Sequence, residues 1–307
     1  MVADPLRYLV SRPWRDTPPT PDLTGIPTML SKAERRVLYT LARDYASGDG
    51  AIVDAGCFLG GSSAALLAGV RDRGEPWRGP PVASYDLFRV EAFTVPKFFA
   101  NGRARVGDSF RPRYDAHVAG FDVPHRVHEG DITKIGWDGG PIEILFLDVL
   151  KSWEINDAIL RDFFPSLIPG RSVIVHQDYG WGDTPWIPIT VELMRESLVL
   201  LDWMEWGSHV FFVERELPAD VLENGVGGLD VDAKLELVER AVSRAEGWVL
   251  GMLEIARSFV IAERDGPDAA IRELDAIRER HVGRGLVLAC IEDVRPAIER
   301  TFAVAAR

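Results

Sequence analysis

Two short segments hold most of the side chains that could move a proton. One is Asp148-Val-Leu-Lys151-Ser152-Trp153-Glu154, and the other is Val173-Ile-Val-His176-Gln177-Asp178-Tyr179. Each sets polar groups directly behind an apolar run, so Asp148, His176, Gln177 and Asp178 converge if the two runs are neighbouring strands. A carboxylate or neutral imidazole held there can take the proton of a substrate hydroxyl within hydrogen-bond reach. His176 and Asp178 also have plainer readings, as a buried histidine at a sheet end and as a turn cap. Asp148, Asp178 and the amide oxygen of Gln177 offer three oxygen ligands to magnesium. Two carboxylates attract that ion weakly, so metal-free chemistry is the expectation and no residue is assigned as a metal ligand.

A third segment, Asp54-Ala-Gly56-Cys-Phe58-Leu-Gly60-Gly61-Ser62-Ser63, reads as a glycine-rich turn between a strand and a helix. Glycines there let a ligand approach the backbone, and a helix N-terminus offers free N–H groups to an anion. The spacing Asp-x-Gly-x-x-x-Gly departs from Gly-x-Gly-x-x-Gly, because position 58 is Phe where a pyrophosphate needs glycine. That argues against a nicotinamide dinucleotide, and Asp54 beside the turn suits a ligand carrying an ammonium group. Asp86, at the end of the next apolar run, can accept both hydroxyls of a ribose. Gly130-Asp131-Ile132 places a further carboxylate where an adenine amino group could meet it. The expected cofactor contacts are therefore Asp54, Gly56, Phe58, Gly60, Ser62, Ser63, Asp86, Asp131 and Ile132.

These groups need a scaffold that lines up strand ends, and the flanking pattern supplies it. Ala51–Ala55, Val82–Tyr85, Arg126–His128, Ile142–Leu147 and Ser172–Val175 read as strands, with Leu198–Trp206 and His209–Arg215 as a closing hairpin. Helices are predicted over 32–46, opened by the capping box Ser31-Lys-Ala-Glu34, and over Gly61–Arg73, Glu154–Leu167 and about 187–197. The alternation implies an α/β fold, a Rossmann-like doubly wound sheet of seven strands with the last one antiparallel. Such sheets bind ligands beyond the carboxyl ends of their strands, where these acids fall. The loop Tyr179–Trp186, with three aromatics and two glycines, reads as a substrate-facing lid. Phe93, Lys97, Phe98 and Phe99 would form another wall.

Residues 1–30 hold six prolines, Pro5, Pro13, Pro18, Pro19, Pro21 and Pro27, and read as an extended arm with Leu6 and Trp14 on the body. Beyond Pro218 the chain turns helical, with a C-terminal subdomain over 229–307. Val231, Leu235, Val238, Val242, Ala245, Val249, Met252, Ala256 and Phe259 form a heptad stripe, read as one long helix. A second helix ends near Arg280, and a third starts near Leu286 and kinks or restarts at Pro296. The stripe either packs within the chain or contributes to a homodimer.

Of the 307 residues 47% are hydrophobic and 27% charged, which excludes wholesale disorder. The net charge of −12 repels polyphosphate and argues against a nucleic-acid-binding face. No apolar run is long enough to span a membrane. Cys57 and Cys290 make neither a disulfide framework nor a zinc site, so a reducing cytoplasm is the simplest compartment. The histidines at 117, 125, 128, 209 and 281 show no metal-ligand spacing.

Over about residues 31–217 the sequence resembles the class I S-adenosylmethionine-dependent methyltransferases. Asp54–Gly60 looks like their first motif, Asp86 like their ribose acid and Asp131 like their adenine-side acid. The segments around Asp148 and Asp178 resemble more narrowly the macrocin O-methyltransferase and cephalosporin hydroxylase-like group. There Lys151 replaces a usual histidine, and Gln177 stands in the place of the first acid of a metal-binding pair. The resemblance implies S-adenosylmethionine as cofactor and methyl transfer to a hydroxyl of a small molecule, a sugar or a secondary metabolite, with His176, Asp148 and Asp178 as the catalytic set. The alternative is a catalytically inactive cofactor-binding protein acting in assembly or regulation.

Overall fold

The computed structural model describes residues 2, 4–18, 23–100, 104–204 and 207–303. Pro19, Pro21, the predicted strand end at Trp206 and the last four residues of the helical subdomain lie outside them. The N-terminal arm is not extended throughout. Asp4 caps a helix, α1 (Pro5–Val10), whose first residue is a proline, the position where a missing N–H costs nothing. A turn of 3₁₀ helix at Pro13–Arg15 then buries Trp14, whose indole N–H donates to Asp202 Oδ2 at 2.8 Å. The arm is thus part of the main core, with Leu9 and Trp14 packed beside sheet residues.

From Ser31 the chain follows the predicted alternation. The capping box forms and opens α2 (Lys32–Thr40), which closes in a π-helical turn at Leu41–Tyr45. Next come β1 (Ala51–Ala55), α3 (Gly61–Arg71) and β2 (Val82–Asp86). Three short helices missed by periodicity follow or flank the next strand: α4 (Val95–Phe98), α5 (Arg111–Val118) and, after β3 (His125–Glu129), α6 (Ile132–Ile135). Then come β4 (Ile142–Leu147), α7 (Trp153–Asp162), β5 (Val173–His176), α8 (Trp186–Leu193), β6 (Leu198–Trp203) and β7 (His209–Val213). The seven strands form one sheet in the order β3-β2-β1-β4-β5-β7-β6. Every pairing is parallel except those of β7, which runs antiparallel to both neighbours. The result is a Rossmann-like doubly wound α/β sheet with its last strand reversed, followed by a helical C-terminal extension.

That extension comprises α9 (Ala219–Asn224), α10 (Val231–Arg244), α11 (Gly247–Asp265), α12 (Pro267–Arg280) and α13 (Gly285–Ala303). The heptad stripe is therefore two helices and not one. The chain breaks at Ala245-Glu246-Gly247, where Gly247 takes φ +64°, and α11 folds back along α10. Lys234 near the start of α10 pairs with Glu263 near the end of α11 at 2.9 Å, as an antiparallel hairpin requires. Pro296 does not restart the last helix, because α13 continues through it. Leu235, Val238 and Val260 join the core cluster on one face of the sheet, while Met252, Ile255, Leu274, Val287 and Ile291 pack among the helices themselves.

Candidate active site

Beyond the strands, the backbone hydrogen bonds continue one step further and draw a rim along the carboxyl edge of the sheet. Gly130 N–H donates to Asp86 O, Gly56 N–H to Tyr85 O, Asp148 N–H to Ala55 O and Gln177 N–H to Leu147 O, all at 2.8–2.9 Å. The turn after β1 and the loop after β4 flank the point where strand order reverses, the usual ligand crevice of such sheets. They are pressed together there. Gly56 sits at φ +96°, and a Cβ on it would collide with the Asp148 carbonyl.

The glycine turn is held from below and from the side. Asp54 is fully buried and accepts both the Ser62 and the Ser63 hydroxyls on Oδ2. Ser63 is tied onward to Ser84, and Tyr114 donates to Ser63 at 2.9 Å. Those two serine side chains are therefore committed inward, and only their backbone can face a ligand. Asp54 Oδ1 has no partner among the described residues, and burial pushes the carboxyl up to about 7 despite the two hydroxyls. Gly60, φ +96°, is the N-cap of α3 and offers it no side-chain cap. Asp86 accepts the Phe58 and Phe88 amides at 2.8 and 2.7 Å, one on each oxygen, and so ties the turn to the segment after β2. Phe58 adopts φ +44° and packs its ring edge-on against Phe98, Phe99 and Phe110. Of the predicted wall, Phe98 and Phe99 take part and Phe93 stays exposed. Asp131 caps α6 through Thr133 and pairs with Lys134, and the neighbouring Ile132 is buried.

On the other side of the switch point, the structure brings Asp148, Lys151, Gln177 and Asp178 together. The Lys151 ammonium donates to Asp148 Oδ1 at 3.2 Å and to Asp178 Oδ2. The Gln177 amide group lies 3.3 Å from Asp148 Oδ1 and within reach of Asp178 Oδ1, and donates to both once its nitrogen is turned toward them. Among the described residues no three His, Cys, Asp or Glu side chains converge as a metal site would need. One ammonium against two carboxylates leaves one negative charge uncompensated. Burial pushes Asp148 up to about 7, with Asp178 adding to the rise and Lys151 opposing it. Burial also works against the Lys151 charge, but Asp178 and Asp148 outweigh it and raise its pKa.

His176 does not join this cluster. It shares a strand face with Ile174, two residues earlier, and points into the core between Phe164 and Phe211, with ring centroids 6.5 and 6.1 Å away. Both ring nitrogens are buried without a partner among the described residues, and burial pulls the imidazole down to about 3. The expected catalytic histidine is, by its position, a neutral core residue.

The lid reading also changes. Trp186 N–H donates to Leu150 O at 2.8 Å, Thr184 Oγ1 to Asp178 O at 2.9 Å, and Trp181 packs on the C-terminal helices. Gly182 fits between Ile255 and Cys290, and Gly180 under Trp248, so these glycines serve close packing and not movement. Two further residues reach the site, Thr28 without a sequence signal and Glu34, which the sequence marked only as the capping-box acid of α2. Thr28 lies against Gly61 at the start of α3. Glu34, 1% exposed, accepts from Ser208 and adds its charge to the field at Asp148.

No protein-family model matches the chain, and no curated protein matches it. Among solved structures it is similar to apo CalS11, a TDP-rhamnose 3'-O-methyltransferase of calicheamicin biosynthesis. The two share 15% identity over 68% of this chain and 94% of that one, with a TM-score of 0.41. It is also similar to the SAH-bound methyltransferase PaMTH1 of Podospora anserina, at 16% identity, 70% and 89% coverage and a TM-score of 0.40. Cofactor-bound Rv0187 from MTB gives 16% identity, 69% and 91% coverage and a TM-score of 0.43.

Proposed function

We propose that this chain is an S-adenosylmethionine-dependent methyltransferase that methylates a hydroxyl oxygen of a small molecule, a sugar or a secondary-metabolite scaffold. The observation that carries the reading is the row of acids along one rim of the sheet. Asp54 and Asp86 sit among the last residues of β1 and β2, Asp131 follows β3, and Asp148 and Asp178 follow β4 and β5 across the switch point. The first group suits the cofactor. An uncapped helix N-terminus and an orphaned carboxylate oxygen complement a ligand that carries both a carboxylate and an ammonium, and the unused lone pairs of Asp86 can accept ribose hydroxyls. When bound, S-adenosylmethionine supplies a methyl group on a positively charged sulfur.

The remaining work belongs to the chain. Asp148, with its pKa near neutrality, takes the proton of the acceptor hydroxyl, while Lys151 donates to Asp178 beside it. Alignment of the acceptor oxygen in the crevice contributes the rest of the rate. The Lys151 ammonium lies between the two carboxylates, the place a divalent ion would need, so we expect activity to survive dialysis against EDTA. Loss of turnover restored by magnesium would recast Asp148, Gln177 and Asp178 as ligands. Calorimetry tests the cofactor half of the reading. Asp86→Ala is expected to weaken S-adenosylmethionine binding by roughly 1.5–3 kcal/mol, the range for hydrogen bonds to a charged group. Unchanged affinity would remove Asp86 from the site.

A further inference from the structure

A cavity of about 550 Å³ lies between the β6–β7 hairpin, the end of α8 and the α10–α11 joint. None of Asp54, Asp86, Asp131, Asp148 or Asp178 lines it. Leu198, Leu200, Phe211, Val249 and Leu253 give it apolar walls. Its charges largely cancel. Glu192 accepts from Arg244 and lies 3.7 Å from Arg195, while the exposed Glu196 and Glu246 sit on the lining. A strong anion would meet those two glutamates, and a strong cation would meet the arginines.

The most specific group in the cavity is His209. It is 3% exposed, and its Nδ1 lies 3.0 Å from Gly207 O. A carbonyl oxygen only accepts, so Nδ1 carries the proton and Nε2 presents a lone pair. Among the described residues no hydrogen bond reaches that Nε2. Burial pulls His209 down to about 4, which keeps the ring neutral and Nε2 an acceptor at physiological pH. The Tyr179 ring packs against it at 4.2 Å and shares the lining. A free acceptor on a nearly buried ring, at the wall of a cavity of this size with apolar side chains and a few polar groups around it, suits a small molecule with a hydroxyl to donate.

We propose that this cavity is a second ligand site, taking an uncharged, largely apolar small molecule whose hydroxyl donates to His209 Nε2. The site does not depend on methyl transfer. Its occupant would touch both Tyr179, which follows Asp178 in the chain, and the joint of the helical hairpin.

Equilibrium dialysis of the full chain against 2-naphthol and against naphthalene tests the proposal. One 2-naphthol is expected to bind per chain, at least tenfold more tightly than naphthalene. His209→Phe should bring the two affinities within about twofold by removing the acceptor while keeping a ring. Ala245→Trp, which fills the chamber from its half-buried margin, should abolish binding of both while leaving His209 in place. Absence of saturable 2-naphthol binding, no preference for the hydroxyl in the unaltered chain, or undiminished binding to Ala245→Trp would each overturn the proposal.

Discussion

Asp148 and His176 stand at the ends of adjacent strands, and burial moves their proton affinities in opposite directions. Asp148 is raised to about 7, so its ionised fraction falls as pH drops through neutrality. A base must be ionised to accept a proton, so the transfer rate is expected to decline below about pH 7. Asp148→Asn should remove that limb and lower kcat by roughly 10²–10⁴. A pH–rate profile unchanged by the substitution takes Asp148 out of proton transfer. His176 is lowered to about 3 from an ordinary value of 6.5. Its neutral form is the one the fold accommodates, so the associated stability is present above pH 6.5 and is lost as pH falls toward 3, at about 1.4 kcal/mol per pH unit. His176→Phe has no such loss. Its stability relative to the unaltered chain should therefore rise by about 2 kcal/mol between pH 7 and pH 5, read from urea midpoints at the two pH values. Turnover of the same variant at pH 8 should stay within a few-fold, and a drop of orders of magnitude would return His176 to the catalytic set.

Among the elements, the turn between β1 and α3 is the most constrained. Gly56 and Gly60 share φ +96°, but their surroundings differ. A Cβ at Gly60 would meet only side chains, Val118 and Tyr114, at 3.3–3.5 Å, whereas one at Gly56 would strike the backbone of the loop after β4. Gly60→Ala is expected to cost about 1–2 kcal/mol, the strain of a left-handed residue. Gly56→Ala must in addition push β1 and β4 apart, and should cost on the order of 4 kcal/mol or more and abolish cofactor binding. Melting curves of the two variants make the comparison, and equal losses would show that β4 does not clamp the turn. The helical hairpin gives a second lesson at this scale. Its stripe keeps heptad spacing across the break at Ala245–Gly247, because both arms bury the same kind of face.

At the scale of the whole molecule, the C-terminal helices are part of the fold that carries the rim. Val221, Val226, Leu235, Val238 and Val260 lie in the same buried cluster as Ile174, Ile187 and Phe211. A chain ending at Pro218 would expose their partners, at roughly 1.5–3 kcal/mol for each large side chain uncovered. Such a chain is expected to aggregate, and light scattering showing it soluble, monodisperse and active would make the extension dispensable. Since most of the stripe is covered within one chain, it places no demand on a second subunit.

The order of strands and helices, the glycine turn and the acids at the ends of successive strands were legible in the sequence because each is a local pattern of period, spacing or backbone freedom. The capping box at Ser31 and the apolar run Ile142–Leu147 needed no distant information. Tertiary structure decided the rest. His176 is named by its neighbours in sequence but aimed by the phase of β5 against two different cores, and that phase put it among Phe164 and Phe211. Lys151 reaches Asp178, and Glu34 reaches Ser208, across loops from separate elements. A heptad stripe reads alike whether the helix continues or doubles back. Charge pairing and burial depend on which distant groups share a low-dielectric space, and only the packed chain sets that.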